Sequence, residues 1–287
     1  MSNARIGVIG GSGLYAMDEL TNVEEVRIQT PFGDPSDVIT IGTLMGERVA
    51  FLPRHGRGHR ILPSDIPVRA NIYALKSLGV EWVIAASAVG SLREEIAPTH
   101  MVIPDQLIDR TKNRPSTFFT TGLVGHVGFA DPFCPILSGL LATAAEQAGA
   151  TVHRGGSYVC MEGPAFSTRA ESRLYRSWNA SIIGMTGLPE AKLAREAELH
   201  YAMIAQSTDY DCWRESDEAV TAEMVMGNVA RNIHTVRKSL LALIPTIPAS
   251  GNCGCDAALS TAIQTAPDAI SPEAVKQLGL IYQKYAK

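Results

Sequence analysis

Asp209-Tyr210-Asp211 sets two carboxylates two residues apart. In extended backbone such residues point to one side, so both acids face the same ligand. The readings are a metal pair, a glycosidase-like acid pair, acceptors for a ligand's amino group, or a solvated loop end. The segment lacks the further acidic positions of a calcium loop. The densest basic cluster is Arg54-His55-Gly56-Arg57-Gly58-His59-Arg60. Its two glycines exclude a stable helix, so His55 and His59 are not a helical metal pair. The run reads as an oxyanion clamp, with Arg54 a forked donor and His55 beside it, or as a solvated basic loop.

Gly10-Gly11-Ser12-Gly13 reads as a tight turn or as a phosphate loop, where glycines let the backbone approach the anion and Ser12 adds a hydroxyl. Gly11-x-Gly13-x-x-Ala16 loosely fits a dinucleotide fingerprint, but no glycine-led helix follows over Asp18–Thr30. Ser87 and Thr186 each end an apolar run. They read as helix caps or, with Ser12, as hydroxyls aimed at one anion. Neutral hydroxyls and a single arginine suit a phosphate that must react, because binding it too tightly stabilises the ground state. Phe166, after Glu162-Gly163-Pro164-Ala165, reads by itself as core. Cys253-Gly254-Cys255 reads as a redox or strained disulfide element, weak by itself because metal sites usually need a second pair of ligands, and its thiols read as free by default.

These residues sit where buried strands end. Arg5–Ile9, Trp82–Ser87, Tyr158–Glu162, Ile182–Met185 and Tyr201–Thr208 are the expected strands. Val38–Leu44 and Val49–Leu52 flank a turn at Gly46, and Met101–Ile108 reads as extended. Helices are expected over Ala70–Leu78, Pro135–Ala148, Thr168–Trp178, Glu190–Ala197, Thr221–Leu243 and Pro272–Tyr285. Apolar strands alternating with helices predict a largely parallel sheet covered on both faces, with ligands at the carboxyl ends of its strands. Gly11-Ser12-Gly13, Ser87-Ala88-Val89-Gly90, Gly184-Met185-Thr186-Gly187 and Asp209-Tyr210-Asp211 all fall at such ends.

Composition narrows the class. The chain has 287 residues, 46% hydrophobic and 19% charged, enough to bury a large core and too apolar for disorder. Lys and Arg total 25 against 29 Asp and Glu, a net charge of −4, which argues against a uniformly basic nucleic-acid protein. The best apolar run, Trp82 to Val89, is too short for a membrane span. The start has no basic stretch or cleavage site, and the five scattered cysteines do not read as a disulfide framework. A cytoplasmic protein is expected.

Taken together, several strings resemble the trimeric purine nucleoside and methylthioadenosine phosphorylase family. They are Gly10-Gly11-Ser12-Gly13-Leu14, Thr30-Pro31-Phe32-Gly33-x-Pro35-Ser36, Arg54-His55-Gly56-Arg57, Ala70-Asn71-Ile72-x-Ala74-Leu75-Lys76, Gly90-Ser91-Leu92-Arg93-Glu94-Glu95, Asp131-Pro132-Phe133-Cys134, Glu162-Gly163-Pro164 and Thr208-Asp209-Tyr210-Asp211-Cys212-Trp213. They run in family order from Ile6 to Ile244. The resemblance implies an α/β fold with a twisted mixed sheet, distorted toward a barrel and flanked by helices. It implies a single domain, with the phosphorylase domain at 1–248; the tail at 249–287, which the resemblance covers poorly, reads from its own pattern as a helical extension packed on the same domain. The implied reaction is 5′-methylthioadenosine plus phosphate giving adenine and 5-methylthioribose 1-phosphate, with phosphate as co-substrate and no metal or organic cofactor. The implied assembly is a homotrimer or a dimer of trimers, with no nucleic-acid or membrane partner.

By the same resemblance, Ser12, Arg54, His55, Ser87 and Thr186 form the phosphate site. Ala88 and Met185 lie beside the ribose, and Phe166 beside the purine. Asp209 and Asp211 act catalytically at the purine edge, and Ala222 and Val225 wall the methylthio group. His126 would reach in from an adjacent subunit. Two positions depart from the pattern: Gly184 stands where relatives often carry Asn, and Ala165 where Arg is common. Ile183–Ala191 resembles a methylthioinosine-specific variant, so a 6-oxopurine substrate is the alternative.

Overall fold

The computed structural model describes residues 3–14, 17–214 and 222–286, the side chains of Ser12, 222–226, Val229 and Arg231 excepted. Along the chain run β1 (Ile6–Gly10), β2 (Thr21–Val26), β3 (Ile39–Leu44), β4 (Glu47–Pro53), α1 (Val68–Ser77), β5 (Trp82–Ser91), β6 (Met101–Ile103) and β7 (Gln106–Arg110). They are followed by α2 (Pro135–Gln147), β8 (Val152–Arg154), β9 (Ser157–Met161), α3 (Arg169–Ser177), β10 (Ile182–Gly184), α4 (Gly187–Glu196), β11 (His200–Asp209), α5 (Ala222–Leu243) and α6 (Pro272–Leu278).

The strands form one mixed sheet. β1 pairs in parallel with β4 and β5, and β11 pairs in parallel with β5. β3 is antiparallel to both β2 and β4. Along the core strands successive side chains enter opposite layers. Ile6 and Val8 of β1, Trp82 and Ile84 of β5, and Ala202 and Ile204 of β11 pack with Leu137 and Leu141 of α2 and Leu240 of α5. Val83, Ala85, Tyr201 and Met203 pack on the other face with Ile72 and Leu75 of α1 and Ala191 and Leu193 of α4. Burial on both faces is why these strands read as continuous apolar runs.

β5 is where the sheet forks. β1 pairs with it only as far as Ala85, and β10 joins that side antiparallel at Gly90 and Ser91. One arm continues β10-β9-β7 and the other β11-β6-β8. Between Ala85 and Gly90, one edge of β5 has no strand partner among the described residues. The expected single stretch Met101–Ile108 is two strands, one in each arm, because Pro104 cannot donate to a ladder. β2 was not anticipated: its residues are polar and nearly all exposed, as at a sheet edge.

Residues past 248 contribute Leu259, Ala262, Ala274, Leu278, Ile281 and Tyr282 to the α1–α4 side of the core. The helix expected over Pro272–Tyr285 stops at Leu278, where Gly279 takes a positive φ of 49°. Among the described residues, no helix is long and apolar enough to cross a membrane.

Candidate active site

The unpartnered edge of β5 carries the site. Ser87 and Thr186, which follows β10, share a hydrogen bond of 2.9 Å. A hydroxyl from within β5, which runs on to Ser91 rather than ending at Ser87 as expected, thus meets one just past β10, as an anion site built of hydroxyls requires. Neither caps a helix: Thr186 precedes α4 but makes no side-chain capping bond.

Arg54 follows β4 and is almost fully buried. Its Nε and one terminal nitrogen donate to the Glu190 carboxylate at 2.8 and 3.0 Å, and the other terminal nitrogen donates to the Ala86 carbonyl at 2.9 Å. Burial pulls the pKa of this guanidinium down, and the Glu190 carboxylate more than offsets that, holding it above the ordinary value. Tyr201 adds a 2.8 Å hydrogen bond to Glu190. Arg54 is therefore locked against β5, and the solvated-loop reading fails for it. The outer part of the loop does behave as a surface: Arg57 pairs with Glu25, and Arg60 with Asp37.

His55 places its Nδ1 2.9 Å from the Ile61 carbonyl. Burial pushes its pKa down to about 4, with Arg54 and His59 adding to the effect. A neutral ring that donates from Nδ1 leaves a lone pair on Nε2, an acceptor for a protonated phosphate oxygen. The two histidines stack, ring centroids 4.2 Å apart.

At the far end of the gap, the pairing of β11 with β5 slips between Ser207 and Asp209. This bulge turns Asp209 toward Gly90, where a Cβ would lie 2.9 Å from Asp209 Oδ1, 3.2 Å from Ile183 and 3.3 Å from Asp211. Thr208 donates to Asp209 Oδ2 at 2.7 Å and the Asp211 amide donates to Oδ1 at 2.8 Å. Burial nonetheless raises the Asp209 pKa to about 6, and raises that of Asp211. Asp209 is thus an acid that can hold or release a proton near neutrality. The extended backbone expected through the pair does not continue to its second acid: Asp211 has a positive φ of 51°.

The Glu162–Thr168 loop runs beside this end, since Cys212 Sγ donates to the Ser167 carbonyl. Phe166, on that loop, is 47% exposed. It is a bare aromatic next to the acids and not the core residue that its type suggested. Met185 packs on Gly163, where a Cβ would lie 2.5 Å from its Sδ. Ala88 sits within the gap on β5, half-buried.

Ser12 lies in the single turn Ser12–Leu14 that follows β1, with its side chain outside the described set. That turn packs on α5, because Arg237 Nε donates to the Gly13 carbonyl. The next regular element is β2, so no strand–helix dinucleotide unit follows β1 among the described residues. Ala16, the last position of that fingerprint, and Thr221, the expected start of the long helix, lie outside the described residues. Ala222 and Val225 lie in the first turns of α5, their side chains likewise outside the described set. His126 is not brought to the strand ends. Its amide donates to the Ala262 carbonyl, and it lines a cavity of about 480 Å³ with Thr117, Phe119 and Glu196.

Three supports were missed in the sequence. Glu190 anchors Arg54. Arg114 donates to the carbonyls of Met185, Leu188 and Glu162 at 2.7, 2.9 and 2.6 Å, fixing the strand ends that present Met185 and Thr186. Asn228 and Asn232, one helical turn apart on α5, donate to the Thr208 and Ser207 carbonyls at the bulge. No local pattern marks any of them, because each is defined by a partner at least 20 residues away.

Gly184 has a physical reason. A Cβ there would lie 2.2 Å from the Tyr158 hydroxyl, which accepts from the Thr186 amide at 3.3 Å. The tyrosine fills the space that an asparagine side chain would need.

A forked mixed α/β sheet with hydroxyls and a buried arginine at one end of an open strand edge, and a buried acid at the other, defines a nucleoside-phosphorylase-like class. The chain belongs to the phosphorylase superfamily, whose model matches residues 5–245. It is 57% identical over 288 residues to the S-methyl-5'-thioadenosine phosphorylase of Gloeobacter violaceus, covering 98% of this chain and 96% of that one. It is 58% identical to the protein of the same name from Chloroflexus aurantiacus, covering 96% of each. Among solved structures, a methylthioadenosine phosphorylase from an antarctic soil metagenomic library matches with a TM-score of 0.94 and 48% identity, over 98% of this chain and 99% of that one. One from Schistosoma mansoni in complex with adenine matches with a TM-score of 0.86 and 35% identity, over 90% and 98%.

Proposed function

We propose that this protein is a pentosyltransferase that splits 5′-methylthioadenosine with phosphate, giving adenine and 5-methylthioribose 1-phosphate. The observation that carries the reading is the gap in β5 pairing. Ser87 with Thr186 lies at one end and Gly90 against Asp209 at the other. Three residues of extended strand span roughly 10 Å, the room a ribosyl group needs between an anion and a purine edge.

Phosphate is already an anionic nucleophile, so neither a catalytic triad nor a cofactor is required. Ser87, Thr186, His55 and Arg54, with Ser12, hold it below the sugar. An oxygen of phosphate bonds to C1′ as the bond from C1′ to the purine nitrogen breaks, and the bonding pair leaves with the base. Asp209 donates a proton or a hydrogen bond to the purine N7, stabilising that charge. As a carboxylate it accepts from a 6-amino group, whereas a 6-oxo group would leave two acceptors facing each other. Asp211 supports Asp209 through its backbone amide, which donates to Oδ1. Phe166 stacks on the base, Met185 and Ala88 line the ribose, and Ala222 and Val225 wall the methylthio group. His126 completes the site of a neighbouring subunit in a trimer or a dimer of trimers. We assign the reaction to purine and methionine salvage and the protein to the cytoplasm.

The test is a product assay with 5′-methylthioadenosine, with and without phosphate, and methylthioinosine in parallel. Phosphate-dependent adenine release, faster than hypoxanthine release, is the expected result. Faster hypoxanthine release would keep the reaction and reverse the base preference. No phosphate-dependent cleavage of either would overturn the proposal.

A further inference from the structure

The fold assembles a ligand cluster that the sequence showed only in part. Cys253 and Cys255, on the segment after α5, meet Cys134, which precedes α2, and His200, the first residue of β11. Their ligand atoms all lie within 4.8 Å of one another. Cys253 Sγ is 3.2 Å from His200 Nδ1 and 3.2 Å from Cys255 Sγ, and Cys134 Sγ is 3.5 Å from His200 Nδ1 and 3.6 Å from Cys253 Sγ. We propose that Cys134, His200, Cys253 and Cys255 form a structural metal site for a soft, tetrahedral divalent cation, zinc being the physiological candidate.

The geometry argues for this in three ways. Zinc bonds of about 2.3 Å to sulfur and about 2.0 Å to nitrogen put the corners of a tetrahedron roughly 3.6–3.8 Å apart. The four short separations, 3.2–3.6 Å, lie within about half an ångström of these corners, and no pair is more than 4.8 Å apart. Three thiolates and one imidazole are the donor set of closed, structural zinc sites, and they select zinc over calcium or magnesium. The surroundings also fix the ligands in place. The His200 ring stacks on Trp82 at 3.9 Å, and Gly251 lies on its other side, where a Cβ would be 2.3 Å from Cε1. Cys134 caps α2 and accepts from the Leu137 amide, which favours its thiolate. Gly254 takes the positive φ of 74° at the turn between the two tail cysteines.

Cys134, Cys255 and His200 are buried and Cys253 is half-buried, so the ion would enter past Cys253. On binding, thiol protons still held pass to water and the sulfurs donate lone pairs; no electron is transferred. With four protein ligands no position is left open for substrate, so the role is mechanical. The ion would tie the tail to α2 and to the start of β11, whose other end carries Asp209.

The experiment is metal analysis of the intact, reduced protein after dialysis, with cobalt titration of the chelator-stripped protein. About one zinc per chain is expected, together with the visible absorption bands of tetrahedral thiolate-bound cobalt. Cys253→Ser should lower affinity by more than the roughly 10–100-fold typical of an outer partner, and Cys212→Ser should leave metal content unchanged. Stripping should lower the unfolding temperature, and zinc should restore it. If Cys253→Ser does not fold, the cobalt titration of the unaltered chain decides. Absence of both zinc uptake and the cobalt bands would overturn the site. So would a mass two hydrogens short, showing that two of these thiols form a disulfide.

Discussion

Asp209 combines two demands that conflict. Its carboxyl is buried, and the folded chain binds its proton more tightly than an unfolded chain would. The carboxyl therefore costs stability as pH rises from about 4 through about 6, on the order of 2–3 kcal/mol at neutrality. Asp209→Asn should abolish that cost while lowering methylthioadenosine turnover by roughly 100-fold or more and shifting preference toward 6-oxo substrates. Unfolding temperatures at acid and neutral pH, with parallel rates on both nucleosides, check it; an unchanged substrate ratio would remove Asp209 from base discrimination. The Arg54–Glu190 pair behaves oppositely. Glu190→Ala leaves a buried charge unpaired and should cost about 3–5 kcal/mol by denaturant unfolding. Replacing both, as Arg54→Met with Glu190→Leu, should recover part of that loss but not phosphate-dependent turnover. Recovery of turnover would show that Arg54 is only structural. Gly184 and Tyr158 form a coupled pair: Gly184→Asn should be tolerated only when residue 158 has first been made shorter.

At the scale of elements, α5 aims the bulge of β11. Asn228→Leu leaves the Thr208 carbonyl buried without its donor, at about 1–3 kcal/mol of stability. It should raise KM for the nucleoside several-fold and leave KM for phosphate nearly unchanged, because the hydroxyl pair lies at the other end of the gap. Steady-state kinetics with each substrate varied would separate the two; equal effects on both would show that the site moves as one body. The strands that carry these ends were legible in the sequence because both their faces are buried, which turns them into apolar runs closed by glycine, serine or aspartate. Ser87, Thr186 and Asp209 could be picked out for that reason, and Arg54 because it opens the densest basic cluster of the chain. Glu190, Arg114, Asn228 and the fork at β5 could not, since each is defined by a partner far along the chain. β2 was not legible as a strand because it is nearly all exposed, with only Val26 packing against the core. Cys134 and His200 were invisible as partners of Cys253 and Cys255 for the same reason of distance.

At the scale of the molecule, His126 lines a cavity with Thr117, Phe119 and Glu196, on a segment held to the tail through the Ala262 and Thr265 contacts. If neighbouring subunits share sites, His126→Ala and Asp209→Asn variants should each be impaired. Mixing them under conditions that exchange subunits should regain a measurable fraction of activity, because some sites then combine an intact Asp209 with a neighbour's His126. No regain, with exchange verified, would confine the site to one chain. The forked sheet has a further consequence for how the chain is made. β11 is among the last strands synthesised, yet it lies between β5 and β6, with all ten of its residues buried. Until residue 209 has left the ribosome, β5 presents a long apolar edge with nothing beside it, the kind of surface that recruits other chains. The nascent protein must keep that slot open and clean for more than a hundred residues, so its yield in the cell is set by protection of an unfinished sheet as well as by the stability of the finished one.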